Sequence, residues 1–377
     1  MTLSVVRSTR VRGWALVAVL TAAVVVAPQV PGWLPNSTSA VDAVALRDRI
    51  LASGEQSHQG YAEVTGFLAL PELPRLADLT DLLTTTTAVR SWYGSSSRWR
   101  VDVVSTSGER GVYGTPQGEF TWDYGANMLT RLVGDVRARV PRAGDLLPPD
   151  LARRMLSAAG ADPVRSLPDR EIAGRAAAGL RLSPSDPATT IGHVDVWADP
   201  ATGLPVAVEV TARGADRPVL TTRFLELTTT PPTAEVLTPK SPPGGGFTVV
   251  TAPDLAAVLG VRRGFQPLPR LAGRALREAD AGGVLGVGVY GTGLSAFVAL
   301  PVPREVGSDV AGAITSAGGV TDKLPGGEAF HLSITPLSVV AVRSYDQRRW
   351  YLLAGLATPD LLLDAAAELS VLRRDRP

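Results

Sequence analysis

His193 and Asp195 stand two residues apart in "IGHVDVWADP", so in an extended strand both project from one face. A carboxylate beside an imidazole can orient a general base, which makes a secreted hydrolase using His193 one reading of the chain. No GxSxG elbow accompanies the pair, and a surface ion pair is the plainer reading. His58 falls in the turn-like "EQSHQG" and reads as solvated, and His331 lies far along the chain. "GVGVYG", residues 286–291, fits GxGxxG. The residues after it, "TGLSAFVALPVP", continue as a strand and do not open a helix toward a pyrophosphate. Its glycines therefore read as packing devices in a twisted hairpin. No HExxH or histidine–carboxylate cluster has ligand spacing, and no two carboxylates stand out as a glycosidase pair. The chain has no cysteine, which removes thiol catalysis, disulfides, thiolate metal sites and a lipidated-cysteine anchor. No catalytic residue, metal or cofactor is assigned.

What remains is apolar and aromatic. "RWRVDVV" sets Trp99, Val101 and Val103 opposite Arg98, Arg100 and Asp102, and "EFTWDYG" sets Phe120, Trp122 and Tyr124 on one side of its strand. "YAEVTGFLAL" places Val64 and Leu68 on one face; further on, Val194 and Val196 share a face, as do Val206 and Val208. Such stripes are either core or the wall of an apolar hollow, because a curved sheet can leave its concave face partly unfilled. Arg98 and Arg100, interleaved with aromatics in "VRSWYGSSSRWRVDV", could grip a lipid head group, or lie as stems over a wet sheet face.

The elements that position these residues are mostly strands. "SAVDAVALRDRILASGEQ" predicts a short helix capped by Ser39, with Ala43, Leu46 and Ile50 on one face. Strands separated by Gly-, Ser- and Asn-bearing turns follow, in the spacing of an antiparallel meander. "PPDLARRMLSAAG" predicts a helical insert that starts at prolines and stops at Gly160. Strands resume to about residue 228, with "DPATG" as a turn. "TTTPPTAEVLTPKSPPGGGF" marks a boundary, part of which can serve the first domain as an edge strand. Beyond it, a hairpin, a helix at "REVGSDVAGAITSAGG", three more strands and a closing helix with Thr358 as cap predict a smaller α+β unit.

Of 377 residues, 45% are apolar and 19% charged, a balance that fits a folded chain with a sizeable core. Arg7, Arg10 and Arg12 precede the first apolar run; without them 34 basic residues face 36 acidic ones, so no basic face for nucleic acid is signalled. "WALVAVLTAAVVVA" after those arginines fits a secretory h-region. Trp14 and Trp33 are 19 residues apart, roughly 28 Å if helical, which also fits an uncleaved transmembrane anchor that would hold the protein to the membrane. Residues 1–38 are thus read as a signal peptide or N-terminal membrane anchor, and both versions export the body of the chain.

The order of these segments resembles the LolA/RseB-like superfamily, the outer-membrane lipoprotein carriers and sigma-E regulatory proteins. "PQGEFTWDYGANMLTRL" is similar to the family's "dG…W.YD…n.vt" hairpin, and "VDVWADPATGLPVAVEVTARG" to its "v.vD..TGLPl.v" hairpin. The tail, from "GFQPLPRLAGRALREADAGGVLGVGVYGTGLSAFVALPVP" to "WYLLAGLATPDLLLDAAAEL", resembles the second domain of the RseB branch and its actinobacterial relatives. The resemblance implies an α+β fold: a curved antiparallel sheet, or unclosed β-barrel, with plugging helices at 39–250, and a small α+β C-terminal domain at 251–377. It further implies a non-enzymatic envelope protein that binds lipid or lipoprotein acyl chains and has a membrane-bound anti-sigma factor as partner, with simple lipoprotein carriage as the alternative. The cavity would be lined by Val64, Leu68, Trp99, Val101, Val103, Phe120, Trp122, Tyr124, Val194, Val196, Val206 and Val208. At about 0.8 kcal/mol per methylene, a chain of ~16 carbons would gain on the order of 10 kcal/mol gross there.

Overall fold

In the computed structural model, which describes residues 41–66, 84–105, 108–134, 142–241, 243–251, 266–279, 281, 286–345 and 349–372, the chain forms two sheets. The larger holds β1 (His58–Gly66), β2 (Thr86–Ser95), β3 (Arg98–Ser105), β4 (Gly108–Thr115), β5 (Gly118–Asp123) and β6 (Met128–Val133). It continues with β7 (Val164–Ile172), β8 (Arg175–Leu182), β9 (Ile191–Ala198), β10 (Pro205–Ala212), β11 (Leu220–Thr228) and β12 (Gly246–Thr251). Its order is β12-β6-β5-β4-β3-β2-β1-β11-β10-β9-β8-β7. Two meanders, β1–β6 and β7–β11, are joined where β1 pairs with β11. All pairs are antiparallel except β12 with β6. β12 and β7 are opposite ends of that order, so the sheet is not closed into a barrel.

Helix α1 (Ala43–Ala52) begins at Asp42, whose carboxylate accepts from the N–H groups of Val44 and Ala45 at 3.0 and 3.2 Å. The cap is thus Asp42, not Ser39, and the expected face of Ala43, Leu46 and Ile50 is buried. Helix α2 (Pro148–Ala159) starts on its prolines and stops at Gly160, which has φ +60°. It buries Leu151, Ala152, Leu156 and Ala159. α1 packs on β7 and β8, and α2 on β10 and β11. One half of the sheet's inner face is therefore plugged by helices. On the other half, among the described residues, the 3-10 turn Ala143–Leu146 touches β2 and β3, and the 3-10 turn Ser53–Glu55 touches β2.

The second sheet is built from β13 (Arg270–Leu271), β14 (Arg274–Ala279), β15 (Gly288–Tyr290), β16 (Phe297–Val302), β17 (Val320–Leu324), β18 (Gly327–Ile334), β19 (Leu337–Ser344) and β20 (Arg349–Gly355). Helices α3 (Arg304–Ser316) and α4 (Pro359–Ser370) pack on it. "GVGVYG" lies at β15, paired with β16 as a hairpin, where Gly288 lets the Tyr290 ring approach its backbone.

The β8–β9 loop clasps the two sheets together. Thr189 and Ala357 form an antiparallel bridge, Thr190 N–H donates to Leu356 O at 2.9 Å, and Thr358 N–H donates to Ala188 O at 2.8 Å. Asp186 accepts from Ser295 Oγ at 2.6 Å and pairs with Arg274 at 2.8 Å. Partial burial opposes its charge, but these partners prevail and hold its carboxyl down to about 2.

Several expectations are corrected. His58 is 4% exposed at the start of β1, not in a solvated turn. β7 went unread because Pro168 interrupts it; it is the terminal strand of the sheet, with a bulge between Leu167 and Arg170, where a missing N–H is tolerated. Among the described residues no helix is long and apolar enough to cross a membrane, so the transmembrane anchor and the membrane attachment through it are not carried forward. Residues 1–38, on which that expectation fell, lie outside the described residues.

Candidate functional site

Cross-strand partners point to the same face, so the pairing registers sort the sheet's two sides. Val101 pairs with Ser91 and Val112, Val112 with Thr121, and Ser91 with Gly60. Val103 pairs with Val89 and Arg110, and Arg110 with Asp123. This is the inner face, the side that carries the helices.

Along β2–β5, where no helix among the described residues covers that face, lies an open hollow, part of a space of about 1110 Å³ that also reaches the outer face. Its floor is Trp99, Val101, Val103 and Val112; its roof is Ala143, Gly144 and Leu147, at the 3-10 turn and the entry to α2. Outer-face residues such as Glu63, Trp92, Arg100 and Glu109 border the same space, so it extends beyond the inner face. Gly144 sits close over Val101: a Cβ on it would lie 3.4 Å from Val101 Cγ2.

The polar border is paired within the protein. Asp145 takes the Arg142 N–H at 2.8 Å and the Arg154 guanidinium at 2.6 Å. The Arg142 side chain pairs with Glu119, and Arg110 reaches Asp123 at 3.4 Å. Burial pushes the Arg142 guanidinium below its ordinary range, partly countered by Asp145. Asp123 is held below the usual carboxylate range, chiefly by the N–H of Ala126. His58 closes the hollow near α2; its ring stacks on Tyr93 at 5.1 Å, and its Nδ1 bonds Gln56 O at 3.0 Å.

The residues expected to line a cavity fall into separate groups. Trp99, Val101 and Val103 border the hollow. Val64, Val194, Val196, Val206 and Val208 are fully buried in the core shared with α1 and α2 and do not border the hollow. Phe120, Trp122 and Tyr124 face the other way: Phe120 pairs with Tyr113 and Trp122 with Gly111, on the outer face. There Trp122, Tyr113 and Leu129 form a small cluster with Phe120 against it, and Tyr124 is 44% exposed. Leu68 lies outside the described residues.

Of the two head-group candidates, Arg98 is exposed at the start of β3. Arg100 is committed: its Nε donates to Asp102 Oδ1 at 2.8 Å, its Nη2 to Asp102 Oδ2 at 2.5 Å and to the Tyr124 hydroxyl at 3.0 Å. Its guanidinium lies 4.8 Å from the ring centroids of both Trp92 and Tyr113. Burial opposes its charge, but Asp102 outweighs this and holds the guanidinium above its ordinary range.

His193 Nε2 stands 3.9 Å from Asp195, whose carboxylate accepts two bonds from Arg181 at 2.6 Å each. An Asp already bridged by a guanidinium does not orient an imidazole, so the surface-pair reading fits the geometry better than a hydrolytic one. Sequence reading missed Val112, Ser91, Ala143 and Leu147. The signal for Val112 was "GERGVYGT", a glycine-rich strand whose alternation is faint.

No protein-family model matches the chain, and no curated protein matches it. Among solved structures, the fold is similar to the Pseudomonas aeruginosa MucA/MucB complex, at 16% identity over 85% of this chain and 95% of that one, with a TM-score of 0.47. It is also similar to an uncharacterized conserved protein from Thermus thermophilus, at 12% identity over 54% and 97%, TM-score 0.32. A LolA superfamily protein from Nitrosomonas europaea matches at 13% identity over 53% and 99%, TM-score 0.25. These likenesses do not distinguish an actinobacterial branch, and they assign the chain to no family.

Proposed function

We propose that this chain is a non-enzymatic, extracytoplasmic protein of the cell envelope that takes an acyl chain into the inner-face hollow. The observation that carries the reading is the half-plugged sheet: among the described residues, helices pack over β7–β11 and an apolar-floored space lies over β2–β5. The open space of about 1110 Å³, which takes in both the inner-face hollow and the neighbouring outer-face residues, exceeds the roughly 300–1,000 Å³ of ligand sites, so the inner-face part alone has room for one chain. The arginine-led apolar N-terminal stretch supports export. The sequence resemblance to RseB-like proteins favours a sensing or regulatory role, with an anti-sigma factor as protein partner, over carriage. We keep the division into a lipid-binding half-barrel at 39–250 and a small domain at 251–377 as part of the proposal.

Native mass spectrometry of the purified protein with a C16 acyl ligand tests it. Val112→Trp, which fills the hollow, is expected to abolish binding, while Trp122→Arg on the outer face lowers stability and leaves affinity unchanged. Binding by Val112→Trp equal to wild type would refute the reading.

A further inference from the structure

The larger sheet ends at β12, whose sequence is "GFTVVT". Gly246 N–H donates to Asn127 O at 2.9 Å, and the register with β6 runs unbroken from Gly246 to Thr251. Bonding direction alternates along a strand, so the N–H and C=O groups of Phe247, Val249 and Thr251 point away from β6. Among the described residues no strand pairs with that side. Phe247 is 57% exposed and Val249 51%, and both stand on the outer face.

A sheet end is a template for pairing with another chain, and proteins blunt it with charge, proline, a bulge or short length. Among the described residues the other three ends of the two sheets are blunted. β7 carries Pro168, a bulge between Leu167 and Arg170, and charged side chains that include Arg165 and Glu171. β17 carries Asp322 and Lys323, and β13 is two residues long. β12 has no charge, no proline and no break in register. A second β12 therefore meets it without like-charge repulsion, through the same outward groups. With one unblunted edge per chain, pairing closes at two copies and does not run on into a filament.

We propose that β12 is a dimerisation edge, which pairs antiparallel with β12 of a second copy about a two-fold axis at Thr248. An axis normal to the sheet keeps each side chain on its own face, so it passes through a residue position. Placed at Thr248, it sets Phe247 of each copy against Val249 of the other, the two most exposed apolar side chains of the strand. An aromatic opposite a β-branched residue is a favourable cross-strand pair. The assignment does not depend on what occupies the hollow.

Analytical ultracentrifugation of the full chain from about 5 to 500 µM tests it, a range suited to an interface as small as one strand pair. A reversible monomer–dimer equilibrium with no larger species is expected. Val249→Pro removes an outward N–H that β6 does not use, and Val249→Lys sets a charge into the interface. Each is expected to weaken dimerisation at least about tenfold. At dilutions where wild type is monomeric, Val249→Lys is expected to melt with it. The chain has no cysteine, so Thr248→Cys reports the axis. Opposed residues of an antiparallel pair have Cα atoms about 4.5–5.5 Å apart, within disulfide reach, and oxidation is expected to give a linked dimer. A monomer at every concentration, a dimer that both Val249 variants leave intact, or failure of Thr248→Cys to cross-link the dimer overturns the proposal.

Discussion

Arg100 and Asp102 lie two residues apart on β3 and form a two-point ion pair on the outer face, with the Asp102 side chain wholly buried. Trp92 and Tyr113 flank the guanidinium on that face, away from the hollow's floor. Removing one member strands the other without solvent, whereas replacing both by apolar groups of similar shape does not. Asp102→Ala is therefore expected to cost about 3–5 kcal/mol in urea unfolding, and the double variant Arg100→Met with Asp102→Leu to stay near wild type. A single variant as stable as wild type would show that the pair does not hold β3 in place.

The same pair shows what the sequence could and could not reveal. Alternation along β3 correctly separated Trp99, Val101 and Val103 from Arg98, Arg100 and Asp102, because side-chain direction within one strand has a fixed period of two. It could not relate β3 to β5. That relation runs through β4, where Val101 meets Val112 and Val112 meets Thr121, so Thr121 and Asp123 face inward and Trp122 faces out. A one-residue change in register inverts every such assignment, and the glycine-rich β4 offered no apolar stripe to count. Of the two N-proximal helices, the first was legible from its apolar spacing and the second from its prolines and Gly160. Which valines they would cover was not, since that depends on contacts between α2 and β10 that are distant in the chain.

Acidification is expected to weaken the fold through His58. Burial lowers its pKa from 6.5; the Gln56 carbonyl and Asp150 act the other way, and Arg153 adds to the lowering. The unfolded chain then binds more protons than the folded one between the depressed value and 6.5. Stability is complete above pH 6.5 and declines as pH falls toward the folded pKa, then levels off. His193 is shifted in the same direction, chiefly by its own burial, and adds to the slope. Melting temperatures measured from pH 7.5 to 5.5 should fall for wild type and flatten in His58→Phe, which keeps an aromatic ring against Tyr93. An unchanged slope in that variant would remove His58 as the source.

Trp99 reaches its place on the floor of the hollow because its cross-strand neighbour is Gly114. The indole lies directly over that glycine, and a Cβ there would collide with the Trp99 ring atoms. An aromatic laid across a glycine in this way covers exposed backbone and fixes the ring's position. Gly114→Ala must push the indole off its seat, at a cost of about 1–3 kcal/mol from overpacking. Because Trp99 borders the hollow, its displacement is also expected to change tryptophan emission and acyl affinity together. Adding Trp99→Val to Gly114→Ala removes the collision and should recover most of the lost stability without restoring affinity. If Gly114→Ala alone leaves unfolding, emission and affinity at wild-type values, the indole is not seated by the glycine and does not shape the floor.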